Sequence, residues 1–323
     1  MSKPIKPQLA DDVDFDTLPY PCWGMPKIDG VRGLQPRDKL VGRSLDEFKG
    51  FGLTEYLSDF YHEGFDGELT LGSSPVAKPG ESLCAQTTGA CGAFKGVTQV
   101  ADFHWWLFDL VTPDTASLPY QQRYELLAAK LAAQKDQRLH LVPYKVINNK
   151  QEALDLCARH LDAGYEGAVF RNPDAPHKEG RPTKGGQQLM RYKPWADFEI
   201  LVTGLIEEET NTNEAKKNTL GKTERSSAKA GKVKNGQVGA IQGEIVKDVL
   251  CPMTGRVLFP AGQVITAGSG RMKDADALYF WQYPDSIVGH FAKIKHLAYG
   301  VMDQPRMATF ECLRDPIDMG EPT

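Results

Sequence analysis

The chain has 323 residues, 41% of them apolar and 25% charged, with a formal net charge of −4 at pH 7. These are ordinary values for a soluble protein with material for two cores, and an acidic total argues against a general nucleic-acid binder. No uncharged apolar run reaches the roughly 18 residues that a membrane-spanning helix needs, so no membrane association is expected.

The N-terminus from Met1 to Asp16 is polar and acidic, with no apolar core of a signal peptide. In chain order, Leu53, Tyr56, Leu57 and Phe60 recur at helical spacing and predict an amphipathic helix. Phe65–Leu71 and Phe103–Val111 read as strands. A helix is expected over Gln121–Gln134, a strand over Leu141–Ile147, and a second long helix over Asn149–Ala163. In that helix Leu154, Cys157, Ala158 and Leu161 form the apolar stripe, and Gly164 stands at the C-cap. Glu166–Arg171 is a further strand. Gly/Ser/Pro-rich sequence fills residues 72–80 and 172–186. The cysteines at 22, 84, 91, 157, 251 and 312 make no Cys-x-x-Cys pair, so no zinc site or disulfide framework is expected and a cytoplasmic location follows.

After Pro194 the texture changes to short strands with turn signals: Phe198–Ile206, Gly239–Lys247, Arg256–Ile265, Phe291–His296 and Met307–Leu313. With a helix near Lys273–Gln282 these suit a small five-stranded barrel of the OB type. Between the first two of these strands, residues 215–234 hold Lys216, Lys217, Lys222, Arg225, Lys229, Lys232 and Lys234 against one acid, Glu224. That is a local charge of +6, leaving −10 on the rest of the chain. Concentrated positive charge on an acidic body is an electrostatic footprint for phosphate. With only Leu220 and Val233 as larger aliphatics, the tract cannot hold a core and is expected to be mobile.

The most informative stretch is Pro26–Gly33, which contains Lys27-Ile28-Asp29-Gly30-Val31-Arg32. A Lys-x-Asp-Gly-x-Arg pattern is what an enzyme carrying a nucleotide on lysine presents. The amine attacks an α-phosphate only when unprotonated, and a nearby cation such as Arg32 lowers its pKa. Gly30 allows the backbone to pass close to phosphate and tolerates a positive φ. The ordinary alternative is a solvated Asp-Gly surface turn. Four further clusters follow: Asp66-Gly67-Glu68, Trp105-Trp106-Leu107-Phe108-Asp109, Glu166-Gly167-Ala168-Val169-Phe170-Arg171, and Arg191-Tyr192-Lys193. Singly, each glutamate fits a structural ion pair and each aromatic fits a core.

Together these motifs resemble those of the nucleotidyltransferase superfamily of ATP-dependent DNA ligases and mRNA-capping enzymes, over nearly the whole chain. They are most similar to the minimal two-domain ligases of phages and large DNA viruses, the chlorella virus type. The resemblance implies an α+β fold, with a nucleotidyltransferase (adenylation) domain over 1–195. A C-terminal all-β OB-fold domain over 196–323 would carry a basic latch-like insertion at about 207–237. It implies ATP as cofactor, Mg²⁺ or another divalent cation, and nicked duplex DNA as partner to a monomer. Lys27 becomes the adenylated nucleophile, Asp29 orients the site, and Arg32 and Arg43 contact the adenylate. Glycine precedes Arg43 where the family has serine. Glu68 contacts ribose or metal, Phe108 stacks on adenine, and Glu166 helps hold the metal. Arg191 and Lys193 stand at the family's Lys-x-Lys by the α-phosphate, with arginine in the first place. Gln86-Thr87-Thr88 resembles a loop near the nick. Arg306 and Arg314 match the last motif, which neutralises the departing pyrophosphate. The basic lysines and Arg225 of the latch contact DNA. An RNA ligase or GTP-using capping enzyme, and a non-catalytic OB-type binder, remain the rival readings.

Overall fold

The computed structural model describes residues 4–50, 52–78, 81–92, 102–183, 185–252, 255–298 and 304–315. Pro79 and Gly80 of the first irregular stretch and Lys184 of the second lie outside the described residues. By contacts the chain divides into two units. Met1–Lys193 with Asn218–Leu220 forms one, and Pro194–Lys217 with Gly221–Thr323 forms the other.

The first unit runs β1 (Asp11–Asp12), β2 (Cys22–Lys27), β3 (Val31–Leu34), β4 (Val41–Gly42), α1 (Leu53–Leu57), β5 (Phe65–Leu71) and α2 (Leu83–Cys91). It continues through β6 (Phe103–Leu110), α3 (Tyr120–Ala132), β7 (Leu139–Leu141), β8 (Lys145–Ile147), α4 (Lys150–Asp162), β9 (Gly167–Arg171) and β10 (Leu189–Tyr192). Two five-stranded sheets result, ordered β1-β10-β9-β2-β8 and β4-β3-β5-β6-β7. Alternation on β6 buries Phe103, Trp105 and Leu107 in a core with Leu40, Leu53, Leu57, Phe65 and Leu69. The opposite face presents His104, Trp106 and Phe108, and the Trp106 indole donates to Thr70 Oγ1 at 2.9 Å. Pro26 is tolerated inside β2 because pairing with β8 ends at Gly24, so no donor is missed on that side.

Several expectations change here. Helix α1 stops at Leu57 and Phe60 is 82% exposed, so Phe60 leaves the apolar stripe. Polar groups end the helix: the Ser58 hydroxyl donates to Thr54 O and accepts from Leu40 N, and Asp59 caps the 3₁₀ turn that follows. On α4 the buried stripe is Ala153, Leu156 and Cys157, with Leu154 37% exposed. Asn149 caps its N-terminus, and Gly164 follows the cap residue Ala163 at φ +91°. The strand expected over Leu141–Ile147 splits at Pro143 into β7 and β8, which join different sheets. Gln86, Thr87 and Thr88 lie in helix α2 rather than in a loop, and the buried Thr87 hydroxyl accepts from Leu71 N.

The second unit contains β11 (Trp195–Asn211), β12 (Ala215–Lys217), β13 (Thr223–Arg225), β14 (Lys232–Ile245), β15 (Val249–Leu250) and β16 (Val257–Phe259). Then come β17 (Val264–Gly268), α5 (Asp274–Gln282), β18 (Phe291–Leu297) and β19 (Arg306–Arg314). Strands β11-β14-β17-β19-β18 close a five-stranded barrel around Ile200, Val202, Ile241, Ile265, Ala292, Ile294 and Phe310. The fold is thus α+β: a unit of two sheets with helices, followed by a closed five-stranded barrel of the OB type that also carries α5. The strand expected over Arg256–Ile265 is interrupted at Pro260–Gly262, where Gly262 takes φ +80°, and only its second half joins the barrel. The basic tract is a built element: β12 and β13 pair as a hairpin, and β11 and β14 stay paired out to Asn211 opposite Lys232.

Candidate active site

Lys27 ends β2, and the next β-bridge partner on β9 is Gly167, which places Glu166 directly beside it. Glu166 N donates to Lys27 O at 2.9 Å, fixing the two chains together. The Lys27 ammonium contacts Glu166 Oε2, and the Lys193 ammonium contacts Glu166 Oε1 at 2.5 Å. Glu166 is 2% exposed. Burial alone would raise its pKa, but the two ammonium groups outweigh burial and hold it below the ordinary value. A carboxylate gripping two lysines is the centre of this site.

On the Lys27 side opens a cavity of about 460 Å³ lined by Lys27, Arg32, Arg43, Glu68, Phe108 and Arg191, among others. Asp29 is 4% exposed. Arg32 donates from Nε and Nη2 to both oxygens of buried Asp66, each at 2.6 Å, and its guanidinium carbon lies 4.9 Å from the Phe108 ring centre. Burial pushes the Glu68 carboxyl up to about 7 against the pull of Lys27 and Arg32. Arg191 lines the cavity while donating to Asp12 at 2.8 Å. Gly30 does not take a positive φ. Glycine is needed there because a Cβ would stand 2.0 Å from Leu69 O, so the reason is close approach to β5.

The structure therefore brings Lys27, Arg32, Arg43, Glu68, Phe108, Arg191, Glu166 and Lys193 to one locality, with Asp29 buried two residues on from Lys27. Arg306 and Arg314 lie on β19 of the other unit, where Arg314 Nη2 is 3.3 Å from Glu199. The lysines at 216, 217, 222, 229, 232 and 234 and Arg225 are on the exposed or edge-lying hairpin and its stem. Lys234 lies 3.3 Å from Glu207, and Lys216 lies 3.7 Å from Glu214.

Sequence reasoning quoted Asp66, Asp109 and Arg171 within motif clusters without giving them roles, and passed over Arg123 and Tyr120. Asp109 accepts from Arg123 Nε at 2.8 Å and Nη2 at 3.1 Å, and from Arg171 Nη1 at 3.0 Å. All three side chains are at most 3% exposed. Burial raises the Asp109 pKa, yet the two guanidinium groups hold it below its usual value. The available signal was an acid inside an apolar strand, since a buried charge requires a partner.

Residues 59–193 match the family model for the ATP-dependent DNA ligase domain. The matched segment contains Glu68, Phe108, Glu166, Arg191 and Lys193, and the Lys27–Arg32 motif precedes it in the same unit. A DNA ligase of African swine fever virus (isolate Warthog/Namibia/Wart80/1980) is 28% identical over 175 residues, 54% of this chain and 39% of that protein. A DNA ligase of Methanosphaera stadtmanae is 31% identical over 102 residues, 31% of this chain and 18% of that protein. The chain thus spans less than half the length of the curated relatives it matches. Among solved structures, a Lig E DNA ligase superposes with a TM-score of 0.66 at 17% identity, covering 96% of this chain and 99% of the other. The chlorella virus DNA ligase-adenylate superposes at 0.50 with 24% identity, covering 97% and 99%. These similarities show the two-part fold.

Proposed function

We propose that this protein is an ATP-dependent DNA ligase that seals 5′-phosphate/3′-hydroxyl nicks in duplex DNA. The observation that carries the reading is the Lys27–Glu166–Lys193 contact at the wall of a nucleotide-sized cavity. A binding module has no use for a lysine so placed. Before attack the Lys27 ammonium sheds a proton to solvent, and Glu166, in contact with it, holds the amine at the cavity wall. The nitrogen then bonds to the α-phosphorus of ATP as the bond to pyrophosphate breaks. In the second step the nick 5′-phosphate oxygen displaces Lys27 from AMP. In the third the 3′-hydroxyl attacks the 5′-phosphorus and releases AMP, closing the strand.

Each step develops negative charge on phosphate oxygens, which positioned cations stabilise. Lys193 and Arg191 serve the α-phosphate, and Arg32 and Arg43 the adenylate. Phe108 is the shelf for adenine. Arg306 and Arg314 neutralise the departing pyrophosphate, and Asp29 orients the site. Among the described residues no group of three or more His, Cys, Asp or Glu stands together for a metal. Glu68 and Glu166 still fit a hard divalent cation such as Mg²⁺ once nucleotide phosphate supplies further oxygens, because two carboxylates then share the charge. Bound there, the cation would withdraw charge from the phosphate oxygens. The basic hairpin and its stem, about 207–237, act as the latch on DNA phosphates. We further propose a cytoplasmic monomer with a nucleotidyltransferase domain over 1–195 and the OB-fold domain over 196–323.

The test is incubation with radiolabelled ATP or GTP, denaturation, and a chase with nicked duplex DNA. A denaturation-stable adduct from ATP, lost in Lys27→Ala and transferred to the nick, is expected. An adduct from GTP alone would turn the reading to a capping enzyme, and no adduct would leave a binding protein.

A further inference from the structure

The face of Phe108 that the cavity exposes is held by more than its own packing. Its backbone carbonyl accepts from the Tyr120 hydroxyl at 2.7 Å. The next residue, Asp109, is fixed by Arg123 and Arg171. The Arg171 guanidinium carbon lies 5.3 Å from the Phe108 ring centre and 4.3 Å from that of Tyr120, so it is layered against both rings. Arg32 approaches the Phe108 ring at 4.9 Å. Arg171 also lines the cavity, and although the residue is 3% exposed its Nε has no hydrogen-bond partner. A buried guanidinium N–H without an acceptor is costly, and a small shift of a residue that lines a cavity lets a ligand supply the missing acceptor.

Resting on the reading that this cavity takes ATP, we propose that Arg171 is a base-positioning residue. It fixes the Phe108 ring as a stacking shelf and offers its unpaired Nε–H to the purine. Asp109 and Tyr120 hold Arg171 and Phe108 in register. A guanidinium is planar and spreads its donors over a rigid fork, so it stacks on an aromatic face and donates at the same time, which an ammonium does not. The phosphates and ribose, held by Lys27, Lys193, Arg32 and Glu68, are outside its reach in this scheme. Its effect is therefore confined to the base.

The experiment compares competition by ATP and by ribose 5-triphosphate, which lacks a base, against lysyl-AMP formation from radiolabelled ATP at low concentration. Wild type, Arg171→Lys, Arg171→Met and Tyr120→Phe are measured, each checked by thermal unfolding. Arg171→Met should weaken ATP about tenfold, the size of one desolvated cation–π or charged hydrogen-bond contact, with the maximal adenylation rate within about threefold. Ribose 5-triphosphate should compete equally with both proteins. Arg171→Lys, which keeps the charge on Asp109, should lose base-dependent affinity too, and Tyr120→Phe should show the same split on a smaller scale. Equal weakening of ATP and ribose 5-triphosphate in the folded variants would overturn the proposal. If Arg171→Met does not fold, Arg171→Lys and Tyr120→Phe decide the matter alone. Absence of any lysyl-AMP in wild type would instead overturn the ligase reading on which the proposal rests.

Discussion

Glu166 and Glu68 are both carboxylates near Lys27, yet their surroundings push them in opposite directions. Two lysines hold Glu166 anionic, while burial outweighs the cations near Glu68. Glu166→Gln keeps the shape but removes the charge, leaving two ammonium groups facing an amide. Adenylation should fall roughly a hundredfold, the usual weight of one positioned electrostatic partner at the reacting centre. The thermal midpoint should move by no more than about a few degrees, because no cavity opens. A large midpoint loss with little change in rate would assign Glu166 to structure alone. For Glu68 the consequence appears in stability against pH. A carboxyl whose folded pKa is raised from 4.5 to about 7 favours the folded protein below 4.5, and that contribution is lost as pH rises through about 7. Thermal scans of the nucleotide-free protein between these limits should show wild type losing stability relative to Glu68→Gln. A constant difference across that range would contradict the burial argument.

At the scale of elements, much was legible because period and motif agree. Residues 65–71 alternate, carry the Asp-Gly-Glu motif, and form β5 with the expected ends. The long helices were legible from their stripes, but the phase of α4 was not: Leu154 and Leu156 are both apolar, and only packing against β9 and β2 selects Leu156. Of the motif residues, Lys27, Arg32, Arg43, Glu68, Phe108, Glu166, Arg191 and Lys193 came together, whereas Arg171 was quoted in its motif without a role and Arg123 was passed over, because only their pairing with Asp109 explains them. Asp109 is 62 residues from Arg171 and 14 from Arg123. The basic hairpin yields its own test. Replacing residues 215–234 with a short Gly-Ser turn should leave lysyl-AMP formation nearly intact while nick binding weakens. On duplex DNA each lost phosphate contact removes about 0.9 from the slope of log affinity on log salt. Lys216 and Lys234 face acids already, so the slope should change by less than the full +6 would give. An unchanged slope and unchanged sealing would make the hairpin an inert projection.

For the whole molecule, the groups of the proposed chemistry are shared between two units, with the nucleophile in one and Arg306 and Arg314 in the other. A pyrophosphate role matters only when ATP is the donor. Arg314→Ala should therefore slow lysine adenylation by about a hundredfold, as expected when a phosphate-charge partner is removed. Sealing of a pre-adenylated nick should be spared. Equal loss in both assays would instead indicate that breaking the Arg314–Glu199 pair disturbs the barrel.

Strand β11 runs 17 residues without a break in assignment, pairing first with β18 and then with β14 far beyond the barrel. At roughly 3.3 Å per residue its contour length is about 56 Å, and the basic hairpin is mounted on its end rather than hung from a loose loop. A preformed arm has little ordering left to do on meeting a charged polymer. Association should then be a single fast phase steered by charge, steeply slowed by added salt, with salt altering the dissociation rate far less. The heat-capacity change should match only the apolar surface covered in docking, without the excess that accompanies a segment folding as it binds.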